Sequence, residues 1–404
     1  MTRIAVIGGS MAGLCAGVAL HHLGLDVHVF ERASEELASR GAGIATHDEL
    51  YASLEGAGVH LRDEMGVRSA GRLLLAQDGS EVARLAMPQV MTSWGLMYRF
   101  LRAQMPDARY HNGYVLEDLA QHASGVTARF ANGETFDADW LIGADGTRSA
   151  VRQCVAPEVP LHYCGYFGWR GLIDEARLPA DVLEQVAYHM TLCLAPGGHW
   201  LGYLVAGPDD DLTPGRRWYN WGWYRTADAM RLRDHLTDAA GTWHEHGIPH
   251  PLIRRELVES MRAEAHALLA PQIRAIIDAT AQPFIQGMFD LGCEKLVHGR
   301  VCLIGDAAIT ARPHIGLGVS KAAADATSLA DALAADDTAG ALAAWEQQRL
   351  AYGHAALRFS RDLGSYIGPA PVTDERRRKA EYHQRPDVLL AATAPSEPRR
   401  WLDL

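Results

Sequence analysis

The stretch RIAVIGGSMAGLCAG, residues 3–17, decides the fold. Arg3 to Gly8 is a short, continuously apolar run, the mark of a buried strand. Apolar residues then recur at helical spacing from Ala12 to Leu23, and Asp26 to Phe30 reads as a second strand that ends at Glu31. Strand, glycine turn, helix, strand and acid form a β-α-β unit. Gly8 makes the tight turn out of the strand, and Gly13 lets helix and strand approach closely. The helix start around Ser10, Met11 and Ala12 presents free N–H groups that suit a pyrophosphate. Glu31, with Arg32 beside it, is placed about twenty residues on, for a ribose hydroxyl. Ser10 stands where the usual pattern has its middle glycine, and its small side chain with the adjacent Gly9 keeps room for a close backbone approach.

Two more motifs of this grammar lie far downstream. WLIGADGTRSAVR (140–152) puts Asp145-Gly146 at a strand end before a helix opening near Arg148. VCLIGDAAITARPHIGLG (301–318) puts Asp306 at another strand end, followed by spaced glycines and a long Ala-rich helix. An NAD-dependent dehydrogenase needs no second and third acid-glycine signals so far apart. FAD is longer: an aspartate suits its ribityl hydroxyls, and glycine N–H groups at a helix start suit the flavin edge where reduction leaves negative charge.

Working outward, Val126 to Ile142 reads as a hairpin turning at Asn132-Gly133. Residues 161–286 differ in character, with aromatic runs such as YCGYFGWRG and RRWYNWGWYR, and read as a domain with its own sheet. The expected architecture is α/β: a Rossmann-like FAD-binding domain (1–160 and 287–364), an inserted sheet-containing substrate domain (161–286), and C-terminal helices. Residues 365–404 are expected as an extended tail along the surface.

The bulk numbers narrow the function. A formal charge of −11 over 404 residues disfavours a nucleic-acid or anionic-membrane partner. Six cysteines without a C-x-x-C pair argue against a zinc site or a disulfide framework. The N-terminus lacks the length of a signal or spanning segment, so a cytoplasmic protein is expected. The oligomeric state stays open, a homodimer included.

The three ordered motifs, with GYFGWRG, resemble the single-component FAD-dependent aromatic hydroxylases of the para-hydroxybenzoate hydroxylase type, across most of residues 3–360. The resemblance implies FAD held by Gly8, Gly13 and Glu31, by Arg99 in YRFLRAQ, by Asp145 and Gly146, and by Asp306 at the ribityl chain. Pro313, Gly316, Leu317 and Gly318 would form the loop beside the flavin ring. Arg40, apart from the resemblance, is expected to contact flavin or substrate, or else only solvent. The resemblance further implies NADH or NADPH as reductant, with O₂ carried to an electron-rich ring as a flavin C4a-hydroperoxide. Two positions depart from the family: Ile309 follows G-D-A-A where many relatives have histidine, and Ser320 replaces the asparagine of G-x-G-x-N.

The expected substrate is a small hydroxylated aromatic or N-heteroaromatic, hydroxypyridine-like ring. His314, in the loop beside the ring, is expected either to titrate near neutrality and bond the substrate as a catalytic residue or to be a loop histidine satisfied by backbone. His47 follows a segment that often lines the same pocket, and is expected either to share that catalytic and substrate-binding role or to lie in a surface loop. Trp221 and Trp223 share one strand face and Tyr224 takes the other. One of these sets would wall the site by stacking, or all three are sheet core. A Baeyer–Villiger or ring-opening oxidation, and a flavin oxidase or reductase, stay open as alternatives. A flavin halogenase fits poorly, since the two tryptophans lack the Ile-Pro that follows them there.

Overall fold

The structure, a computed structural model, describes residues 2–35, 37, 43–61, 65–245, 247–368 and 373–402. Strand Arg3–Ile7 sits inside a parallel sheet, flanked by Asp26–Glu31 on one side and Trp140–Gly143 on the other. Strands Val301–Leu303 and Tyr110–Asn112 extend it in parallel. A strand covered on both faces must be apolar throughout, and Ile4, Ala5 and Val6 are completely buried. Helix Met11–His22 packs against helix Gly318–Ala334, so the first and third motifs meet on one side of this sheet.

The expected hairpin forms only in part. Gly125–Phe130 pairs with Thr135–Ala138 across Asn132-Gly133, and Gly133 takes the positive φ of 86° that the turn requires. Trp140–Gly143 instead leaves the hairpin for the central sheet.

Among the described residues, the second sheet has nine strands, and its membership corrects the expected domain limits. The long strand His162–Asp174 lies between Trp218–Thr226 and Phe284–Gly292. On the far side, His189–Ala195 pairs with Val67–Leu75, which pairs with Glu81–Ser93 and so leads to Gly43–Ala45. Residues 43–93 thus build the same sheet as 161–286, and the sheet runs past 286 to Gly292. Sequence contiguity hid this, because strand pairing is set by register and packing rather than by order along the chain.

The tail also differs from expectation. Asp374–Gln384 and Pro386–Ala392 are helices, and Leu389, Leu390 and Ala394 are buried against the second sheet. The charge-rich composition of 374–385 masked the short apolar run VLLAA at 388–392 that anchors it. Among the described residues no helix is long and apolar enough to cross a membrane.

Candidate active site

A cleft of about 620 Å³ opens where the parallel sheet meets the two packed helices. Gly8, Ser10, Met11 and Ala12 form one wall, at the N-terminus of helix Met11–His22. No side chain caps that terminus and no acid lies in its first turn, so its N–H groups and the helix dipole face the cleft unsatisfied. Gly13 lies beneath, pressed onto the first strand: a Cβ there would come within 1.7 Å of the Gly8 carbonyl oxygen. Gly8 itself has φ 104°, which a side chain would strain. Glu31 lines the cleft with its carboxylate accepting from the N–H groups of Gly9 (2.8 Å) and Ala33 (2.9 Å). Its remaining lone pairs are left for a ligand hydroxyl. Arg32 and Arg148 add positive charge to the same cleft.

Asp145, Gly146, Asp306, Pro313 and Gly318 complete it. Asp145 accepts from the N–H groups of Ala150 (2.7 Å) and Val151 (3.2 Å), so it caps the following helix as well as facing the cleft. Burial pushes its carboxyl up from the ordinary range. Asp306 is pushed up by burial too, with Lys321 opposing, and its carboxyl bonds no other described residue. It is oriented from behind by a buried cluster. The Asp325 carboxylate accepts from Lys321 Nζ (2.7 Å), Arg349 Nε (2.7 Å) and the Gly305 N–H (3.0 Å), and Lys321 also donates to the Gly305 carbonyl (2.9 Å). Burial alone would raise Asp325, but the two cations hold it below its ordinary value. Sequence reading missed this cluster. The Lys321–Asp325 spacing of four on one helix is its only trace.

A second helix N-terminus closes the far end. Helix Gly318–Ala334 begins without a side-chain cap or an acid in its first turn. Leu317 is buried beneath it, contributing position rather than contact. Two uncapped helix starts, cationic side chains, and two carboxyls suited to hydroxyls fit FAD along its length: pyrophosphate at one end and the electron-accepting ring edge at the other.

Beyond Asp306, Pro313, Gly318 and Val319 the cleft passes into a smaller cavity of about 210 Å³. Tyr203, Tyr224 and Arg170 wall it from the second sheet, Ile44 and Ala45 from the edge strand, and His314 and Gly316 from the loop. The tail closes it. Thr393 and Ala394 line the cavity, the Ala394 N–H donates to the His314 carbonyl (3.1 Å), and buried Arg72 donates to the Ala394 carbonyl (2.7 Å).

Several expected site residues stand differently. His314 lines the cavity, but its Nε2 donates to the Ser360 carbonyl (2.8 Å) and its Nδ1 lies 3.5 Å from the Tyr166 hydroxyl. Burial holds it at about 3, so it stays neutral at pH 7 rather than titrating there. His47 sits in a separate cavity with Tyr51 and Arg68, its Nδ1 2.8 Å from Ser320 Oγ, and burial lowers it to about 4. Trp221 and Trp223 belong to the opposite face of the sheet, packed with helix Pro271–Ala279. The Trp221 indole N–H is satisfied by Thr280 Oγ1 (2.9 Å). Tyr224 alone of that trio faces the cavity. Arg99 forms an ion pair with Asp210 and lies outside the cleft lining. Arg40 lies outside the described residues.

Comparison with known proteins agrees with this geometry. Residues 163–290 match the FAD binding domain-like family, and residues 3–72 match the Pyridine nucleotide-disulphide oxidoreductase family. The chain is 33% identical to 2,6-dihydroxypyridine 3-monooxygenase of Paenarthrobacter nicotinovorans, over 90% of this chain and 91% of that protein. It is 25% identical to 6-hydroxynicotinate 3-monooxygenase of Pseudomonas fluorescens, over 89% and 90%. The solved 2,6-dihydroxypyridine-3-hydroxylase from Arthrobacter nicotinovorans superposes with a TM-score of 0.85 at 31% identity, covering 93% of this chain and 95% of that one. The likeness in sequence runs the length of both the cleft and the sheet domain, and the chain belongs to the FAD-dependent aromatic and heteroaromatic monooxygenases.

Proposed function

We propose that this enzyme hydroxylates a single small ring bearing a hydroxyl group, of hydroxypyridine type, using O₂ and either NADH or NADPH. The observation that carries this is the cavity of about 210 Å³ that meets the FAD cleft at Asp306, Pro313 and Gly318. It lies below the roughly 300–1,000 Å³ of sites for drug-sized ligands, which suits one substituted ring and not a fused polycycle. The relatives named for dihydroxypyridine and hydroxynicotinate support the same class.

When bound, FAD supplies the redox chemistry, taking electrons from the nicotinamide and activating O₂. The chain supplies the rest. The start of helix Met11–His22 neutralises the pyrophosphate, Glu31 and Asp306 fix the sugar and ribityl hydroxyls, and the start of helix Gly318–Ala334 favours negative charge at the ring edge. Tyr203 and Tyr224 hold the substrate ring in place, which converts an encounter into an oriented reaction. Ile44, Leu201 and Met190, with the Thr393–Ala394 segment, exclude water from the cavity. Six cysteines, all unpaired, support a reducing, cytoplasmic setting.

A panel of hydroxypyridines and phenols, scored by substrate-stimulated NAD(P)H oxidation, tests the reading. Hydroxypyridines should stimulate most. Failure of every ring to stimulate would sink it.

A further inference from the structure

One wall of the small cavity carries a charge that the protein itself leaves unanswered. Arg170, on strand His162–Asp174, is only 9% exposed. Its Nη2 donates to the Tyr224 hydroxyl at 3.2 Å, and its guanidinium lies 5.3 Å from the centre of that ring. Its Nε is buried with no partner. No carboxylate among the described residues lies within ion-pairing distance of it. A guanidinium has five N–H donors and cannot shed its charge, so burying one beside tyrosines alone is costly. Other buried arginines are answered: Arg349 by Asp325, and Arg72 by Gln89 and the Thr393 and Ala394 carbonyls. Arg170 differs from them in lining a ligand cavity.

The neighbouring backbone keeps this arrangement open. Gly222 lies opposite Arg170 across the sheet, and a Cβ there would come within 2.8 Å of Nη1. The glycine therefore makes space for a guanidinium directed at the cavity.

The two histidines around it supply no base near neutrality, and the cavity's one lining carboxyl among the described residues is Asp306, which burial pushes up, on the side shared with the cleft. His314 and His199 are both held at about 3, chiefly by burial, and for His199 Arg170 adds to the effect. Burial pushes the Tyr203 hydroxyl up, with Arg170 opposing. A ring that arrives with its proton already left in the solvent needs neither histidine to remove it.

We propose that Arg170 is the residue that recognises the substrate, pairing with one anionic oxygen on the ring, so that the enzyme selects the ionised form. This rests on the proposed reading of the cavity as the substrate site. The anionic oxygen is either a ring oxide, as the dihydroxypyridine of one relative's name would supply, or a ring carboxylate, as the hydroxynicotinate of another's would.

The experiment titrates FAD-loaded enzyme with three probes and follows the flavin absorbance. The probes are a hydroxypyridine, its O-methyl ether, and a pyridine carboxylate without a hydroxyl. Arg170→Met should weaken the hydroxypyridine about 10- to 100-fold, as expected for losing a hydrogen-bonded charge. It should leave the O-methyl ether, and the flavin content, unchanged. Arg170→Lys should restore part of the loss. A loss confined to the pyridine carboxylate would assign the oxygen to a carboxylate and still support recognition by Arg170. Equal binding of both anionic probes to wild type and Arg170→Met would overturn the proposal. Coupled hydroxylation that survives in Arg170→Met with unchanged KM would overturn it while leaving the proposed function standing. Arg170-dependent binding without any ring-stimulated NAD(P)H oxidation would do the reverse.

Discussion

The FAD cleft and the small cavity that adjoins it are built in opposite ways. The cleft is made largely of backbone: two uncapped helix starts and the glycine turns that feed them, with carboxyls at strand ends. The cavity is made of side chains from distant places, with Arg170, Tyr203 and Tyr224 from three strands, His314 from a loop, and Ala394 from the tail. A backbone site needs particular residues at fixed spacing, so it leaves a motif. A side-chain site needs only that the right groups arrive together, and it leaves none. The first region should therefore break through small changes in steric fit or in its supporting charges, and the second through changes in recognition that leave the fold intact.

The largest expected effect lies behind the cleft. Asp325→Ala strands Lys321 and Arg349 as buried charges, and loss of one partner of such a cluster costs about 3–5 kcal/mol. Chemical denaturation should show that loss, with flavin content falling because the Gly305-Asp306 turn loses its anchor. Stability within 1 kcal/mol of wild type, flavin retained, would remove the cluster from the account.

Next comes Gly13→Ala, which pushes a methyl into the Gly8 carbonyl at 1.7 Å. Overpacking of this kind costs about 1–3 kcal/mol and should loosen FAD, read as flavin released on gel filtration. A variant as yellow and as stable as wild type would show that helix and strand can separate without consequence.

Acid sharpens the comparison from the cavity side. His47, His199 and His314 are held at about 4, 3 and 3, while an unfolded imidazole protonates near 6.5. Between these values the unfolded chain binds more protons, so this stability is complete above pH 6.5 and falls as pH drops toward 4. Each histidine contributes a slope of about 1.4 kcal/mol per pH unit. Thermal melts from pH 7 to 5 should show Tm declining, and less steeply in His199→Gln. A flat profile would mean that these imidazoles are not buried as described.

The smallest effect separates the two faces of the second sheet. Trp221→Phe loses the bond to Thr280 Oγ1 and should cost about 1 kcal/mol with KM unchanged. Tyr224→Phe, on the other face, takes the acceptor from buried Arg170 and should change KM and coupling as well as the melt. A changed KM in Trp221→Phe with an unchanged KM in Tyr224→Phe would exchange the two faces.

The legibility of the molecule follows the same division. Residues 3–31 could be read as strand, turn, helix and acid because every position in that unit is constrained by sterics or by the helix terminus. Asp145 and Asp306 were found because each ends an apolar strand. His314 was found by position, but its chemistry was not. Nothing in PHIG shows that Ser360 and Tyr166, far off in the chain, occupy both ring nitrogens. Trp221 and Trp223 were correctly placed on one face, yet which face met the cavity depended on helix Pro271–Ala279 packing behind the sheet. Strands 67–93 escaped assignment to the second sheet because their pairing partner, His189–Ala195, lies a hundred residues on. Arg170 stood in the quoted GYFGWRG, and only burial without a carboxylate, its Nε left unpartnered, marks it out.

Under the proposed function these two regions work as one, with electrons entering through the cleft and oxygen delivered to the ring held in the cavity. The most direct test is the ratio of hydroxylated product to NAD(P)H consumed, for FAD-loaded enzyme with the best hydroxypyridine. Close to one product should form per NAD(P)H, heavier than the substrate by a single oxygen atom. Reducing equivalents diverted wholly to hydrogen peroxide, with every ring offered, would contradict the proposed function.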